Sequence, residues 1–153
     1  MGAVFFYHLT RSPLEAALPM LLERAMAAGW RVVVRAREAA RAEWLDARLW
    51  LGPEEGFLPH GMAGSRHDEF QPVLLTTGGL PAGVACLMAV DGAGVTAREC
   101  LAVERTCILF DGNDPEAVQV ARSQWKELTG AGLSAQYWSE ESGRWAKKAE
   151  TQG

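Results

Sequence analysis

The sequence is short of the features that usually betray chemistry in a small protein. Its three cysteines, Cys86, Cys100 and Cys107, are an odd number with no CxxC pair, and each has apolar neighbours. That argues against a disulfide framework and for reduced core thiols in a reducing cytoplasm. No run approaches the ~20 apolar residues of a membrane span. The opening "MGAVFFYHLTR" has no basic leader region and too short an apolar run for a secretory signal. Positive charge is not in excess: 15 Lys and Arg stand against 19 Asp and Glu, a net −4. This speaks against a protein whose main task is coating nucleic acid, although a local basic patch stays possible. Repeats, linkers and low-complexity segments are missing too.

What is present reads as ordinary and globular. The chain has 153 residues, 48% apolar and 22% charged, enough for one domain, 1–153, with its own core. "AVFFYHL" (3–9) predicts a buried strand. "SPLE" then predicts a helix start, with Ser12 as cap, Pro13 at the first helical position and Glu15 closing a capping box. Leu14, Leu18, Leu21 and Ala25 fall on one helical face, Gly29 supplies a stop, and Pro19 should kink the helix or delay its start. "WRVVVRA" (30–36) predicts a second strand. "REAARAEWLDARLW" (37–50) predicts a second helix with Ala40, Trp44 and Ala47 on one face. "PVLLTT" (72–77) and "GVACLMAV" (83–90) predict strands separated by a Gly/Pro turn, and "ERTCILFDG" (104–112) another strand. Asp114 and Pro115 open a helix running to about Gly130, "LSAQYWSE" (133–140) makes a last strand, and "RWAKKAE" a short amphipathic tail. Strands alternating with helices favour α/β architecture, a mainly parallel central sheet flanked by helices.

Such a sheet invites a nucleotide site, but the sequence does not supply one. The Gly-rich candidates are "TTGGLPAG" and "DGAGV". Neither is followed by the Lys-Ser or Lys-Thr of GxxxxGK[ST], and the first βα junction, "HLTRSP", has no glycine. Both stretches read better as turns. The histidines suggest a metal or a general base. His60 and His67 lie near Asp68 and Glu69, but without the spacing of HExxH or a nearby cysteine. His8 ends the first strand with no identifiable partner. No GxSxG elbow occurs. A small nucleotide- or metal-dependent enzyme using His8, His60 and His67 is therefore the alternative reading, not the leading one; no catalytic residue, metal or cofactor is assigned.

Two stretches say more. "LWLGPEEGFLPHGMAG" (49–64) places Trp50 and Phe57 in a loop dense in Gly and Pro, which physical reasoning leaves open between a buried corner and a protein interface. In "PEAVQVARSQWKELTG", Val118, Ala121, Trp125 and Leu128 form a helical stripe, while Arg122 and Lys126 are an i, i+4 pair flanking Trp125. A solvated face with Lys and Arg stems over apolar surface accounts for these residues. So does a site for an acidic peptide ending in an aromatic residue and a carboxylate.

Taken together, "FYHL", "GWRVVV", "LDARLW", "FLPHGMAG" and "ARSQWKELTGAG", in that order and spacing, make the chain resemble the chi subunits of the bacterial DNA polymerase III holoenzyme. The resemblance covers nearly the whole length. It implies a nucleotide-binding-like α/β fold without a nucleotide site and a non-catalytic, cytoplasmic adaptor tied to the clamp loader. One surface would grip the acidic, Phe-ended C-terminal tail of single-stranded-DNA-binding protein, and another would hold the psi subunit or an XPD-type repair helicase. DNA is met only indirectly and no membrane is involved. By position, Arg122, Trp125 and Lys126 match the tail-binding residues, with Trp125 where a tyrosine would be expected. Trp50, Phe57, Pro59 and His60 match the psi- or helicase-binding loop. Asp111 stands where the tail pocket would be apolar, and Val118 where a lysine can occur; an added anion and a missing cation should weaken the grip on an acidic tail.

Overall fold

The computed structural model describes residues 3–11, 13–50, 61–62, 73–80, 83–140 and 145–152. Strands β1 (Ala3–Leu9), β2 (Val32–Arg35), β3 (Gly61–Met62), β4 (Val73–Thr76), β5 (Cys86–Val90), β6 (Arg105–Asp111), β7 (Ser134–Ser139) and β8 (Ala146–Gln152) form one sheet. Its order is β3-β4-β2-β5-β6-β1-β7-β8. Every pairing is parallel except β7 with β8. Helices α1 (Leu14–Ala27), α2 (Ala39–Trp50), α3 (Ala97–Ala102) and α4 (Pro115–Gly130) cover its faces.

The winding follows from crossover handedness. From β1 to β3 the chain steps one way along the sheet, and from β4 to β7 it steps back. Because parallel crossovers are right-handed, reversing direction moves the helices to the other face. One core accordingly joins Leu14, Leu18 and Leu22 of α1 and Ala42 and Leu45 of α2 to Val32, Val34, Met88 and Leu109. The other joins Cys100 of α3 and Ala121 and Leu128 of α4 to Val4, Phe6, Val33 and Ile108. Successive strand residues point to opposite faces, so β2 and β5, covered on both, are buried throughout. All three cysteines are buried and free.

Several expectations change in detail. Helix α1 has Pro13 itself at its N-cap, without a side-chain cap, and runs uninterrupted through Pro19 rather than starting late. Its buried face is the expected one, Leu14, Leu18, Leu21 and Ala25. In α2 the inward residues are Ala42 and Leu45; Ala40 and Ala47 are exposed and Trp44 is half-buried under Arg41. Alanine and arginine alternate too evenly there for periodicity alone to pick the face. Strands β4 and β5, separated by a turn in sequence, are not neighbours in the sheet: β2 lies between them and parallel to both. Ala146–Gln152, expected to belong to a short tail, is strand β8. Helix α3 went unpredicted, although Thr96 and Glu99 form a reciprocal capping box.

Candidate functional site

In a doubly wound sheet, ligands sit beyond the carboxyl ends of the strands. Here a cleft of about 420 Å³ lies there, bordered by Thr10, Arg11, Pro13, Asp91, Asp111 and Asn113, and the chain's own groups tie down the turns beside it. At the β1–α1 junction the amides of Thr10 and Arg11 donate to one carboxylate oxygen of Glu140, at 3.1 and 2.8 Å. Glu140 follows β7 and is buried. It therefore takes up backbone donors that a phosphate-binding βα junction would turn toward its ligand. The two glycine-rich stretches are tied down as well. Buried Arg35, at the end of β2, donates from Nε to the carbonyl of Gly78 and from Nη1 to that of Gly94, both at 3.0 Å. Its fork also engages both oxygens of Glu99, at 2.9 and 2.6 Å. One guanidinium thus turns the carbonyls of both candidate phosphate loops inward. Hydrogen bonding from Arg35 holds the Glu99 carboxyl below the usual carboxylate range, against the opposing effect of burial.

His8 has partners after all. Its Nε2 lies 3.3 Å from the carbonyl of Gly112, which can only accept, so Nε2 carries the proton. Nδ1 then accepts from the Tyr137 hydroxyl at 2.7 Å. The ring stacks on Phe110 at 5.1 Å. Both nitrogens are engaged, leaving the imidazole a structural strut rather than a free base. Gly112 makes the strut possible: a Cβ there would fall 1.7 Å from His8 Cδ2. Among the described residues no group of three or more His, Cys, Asp and Glu could hold a metal ion. His60 and His67, with Asp68 and Glu69, lie outside the described residues.

Above this strut sits α4. Asp114 caps it by accepting from the Glu116 amide, with Pro115 in the first turn, as the sequence predicts. At about 100° per residue, Ala121, Gln124 and Leu128 point inward while Val118, Arg122 and Trp125 share one flank, with Lys126 beside Arg122. Arg122 and Lys126 are exposed. No ion pair engages either one among the described residues. Trp125 is half-buried, its ring 5.3 Å from Phe6 and 6.2 Å from Tyr137. Rings Phe6, Trp125, Tyr137, His8 and Phe110 are thus continuous beneath the cations. Val118 is half-buried, and exposed Asp111 accepts from the Asn113 amide in the turn before α4. The opposite flank borders a cleft of about 310 Å³ carrying Asp91, Asp111, Asp114 and Glu116 against Arg37. One helix therefore has a cationic, aromatic flank and an acidic one.

The second set of expected residues is only framed. Trp50 closes α2, with its side chain undescribed, and Gly61 opens edge strand β3 against β4. Phe57, Pro59 and His60 lie outside the described residues. Sequence reasoning missed Glu140, Arg35 and the His8–Tyr137 contact. All three join residues tens to more than a hundred positions apart, with no local signature.

These features define a doubly wound α/β domain whose turns at the strand ends are held by Glu140 and Arg35 and whose cations are displayed on a helix. The family model for "DNA polymerase III chi subunit, HolC" matches residues 1–136. The chain belongs to that family, and so to the replication subunits of DNA polymerase III. A comparison with curated proteins gave no match. Among the described residues, no helix is long and apolar enough to cross a membrane.

Proposed function

We propose that this chain is a non-catalytic, cytoplasmic adaptor of the polymerase III clamp-loader complex that grips the acidic C-terminal tail of single-stranded-DNA-binding protein on α4. The observation carrying this reading is the pair of exposed cations, unpaired among the described residues, beside an anchored tryptophan. Arg122 takes the terminal carboxylate, where its planar fork makes paired hydrogen bonds. Trp125, supported from below by Phe6 and Tyr137, walls the place of the terminal phenylalanine, and Lys126 adds attraction toward the tail's acidic residues. Binding is then salt-sensitive, because exposed charges are screened. Asp111 and the acidic flank repel the same tail and orient it toward Arg122.

Titration of a labelled tail peptide, with and without its last residue, tests this: the full peptide binds and the truncated one does not. Arg122→Ala weakens binding by about 1–3 kcal/mol, as expected for a lost charge-assisted hydrogen bond. Equal binding of both peptides would refute the assignment.

The second contact, to psi or to an XPD-type helicase, is assigned to Trp50, Phe57, Pro59 and His60. Two large aromatics in a Gly/Pro-rich segment suit interface anchors. In a pull-down from native extract, Phe57→Ala loses this partner and keeps single-stranded-DNA-binding protein. Loss of both partners, or of neither, counts against it.

A further inference from the structure

On the other face of the sheet, between the last turn of α1 and strands β1, β5 and β6, lies a cleft of about 320 Å³. Arg24 and Arg105 border it, Tyr7 and Trp30 form its walls, and Met88 and Cys107 lie at its base. The Arg105 guanidinium is stacked 4.2 Å from the Phe5 ring centre and 5.1 Å from that of Trp30. The Tyr7 ring is held edge-on by Trp145 at 5.5 Å.

Three features of this cleft point to a ligand. Among the described residues, no carboxylate pairs with Arg24 or Arg105. Tyr7 lines the cleft, and none of the described residues hydrogen-bonds its hydroxyl. The base is apolar and closed by neutral groups. Burial, reinforced by Cys107, raises the Tyr7 hydroxyl well above its ordinary range. The hydrogen bond with Cys86, then burial, raises the Cys107 thiol. At neutral pH the charge around the cleft is therefore that of the two arginines.

We propose that this cleft binds a peptide segment presenting a carboxylate beside an apolar or aromatic side chain. The carboxylate pairs with Arg24 and Arg105 and accepts from the Tyr7 hydroxyl, while the side chain rests on Trp30 and Met88. A nucleic-acid strand fits less well. It needs a row of cations along its backbone, whereas two converge here on a chain of net charge −4. This site is separate from α4 and stands without it.

N-acetyl-L-phenylalanine is a minimal probe, its amide the matched neutral control, and the Trp30 indole resonance the readout. The acid produces a saturable shift that the amide does not. Arg24→Gln, an exposed substitution, and Tyr7→Phe, a conservative one, each weaken the response, Arg24→Gln by about tenfold. Arg122→Ala leaves it unchanged, so failure here and failure of the α4 assignment are distinguishable. The proposal is overturned by an equal response to acid and amide, by no response, by loss of the response in Arg122→Ala, or by a stronger response to oligo(dT).

Discussion

Around α4 the cations stand on the helix and the aromatic rings lie beneath it, whereas at the end of α1 the cations border an opening and the rings wall it. Both arrangements combine two basic residues with large aromatics, and neither basic pair is matched by a carboxylate among the described residues. The difference is one of shape: one pair stands on a helix and the other borders a cleft. Arg122 and Lys126 are exposed and reach a partner lying along the helix; Arg24, also exposed, and half-buried Arg105 border a cleft beside the Tyr7 hydroxyl and suit one group inserted end-on. An exposed pair gives salt-dependent attraction with modest geometric demand, while a walled pair adds desolvation and shape. Placement in the sheet explains why. Helix α4 packs on β6 and β7 with Trp125 half-buried at its flank, while α1 leaves a cleft on β1 beside its last turn.

The comparison breaks most severely at Gly112. A methyl group there collides with a His8 ring already fixed by Tyr137 and Phe110. Gly112→Ala should cost roughly 3 kcal/mol in denaturant unfolding, the upper part of the range for overpacking. It should also loosen Trp125 through Tyr137 while leaving the Trp30 environment unchanged. A stability equal to wild type would mean that the strut does not support α4.

A smaller effect separates the two faces by pH. Arg35 depresses the folded-state value of Glu99 below its ordinary 4.5. The stabilisation from this pair is therefore complete above that ordinary value and is lost as pH falls through the depressed one. Unfolding measured between neutral pH and pH 3 should show a steeper acid loss in wild type than in Glu99→Gln. Parallel curves would remove Arg35–Glu99 from the account of the α3 side.

Much of this architecture was legible because it is written locally. Alternating apolar strands and capped helices announced the α/β sheet, and Asp114-Pro115 announced α4. Helix α3 was legible in Thr96 and Glu99 but short enough to pass as a turn. The face of α2 was not legible, because small residues surround the helix. Nor were the contacts that hold the first βα junction and the glycine-rich turns. The missing Lys-Ser or Lys-Thr said that no phosphate loop was present. Only tertiary structure reveals that Glu140 and Arg35 hold these turns, one reaching back 130 and 129 positions and the other forward 43 and 59. For the candidate site, spacing alone placed Arg122, Trp125 and Lys126 together, but not the rings that hold Trp125 in position.

The most direct test is one tail peptide of single-stranded-DNA-binding protein titrated against wild type, Arg122→Ala and Arg24→Gln at the same salt concentration. The assignment to α4 predicts that Arg122→Ala loses most of the affinity and Arg24→Gln loses none. The reverse pattern would move the tail to the α1 cleft and contradict the central claim.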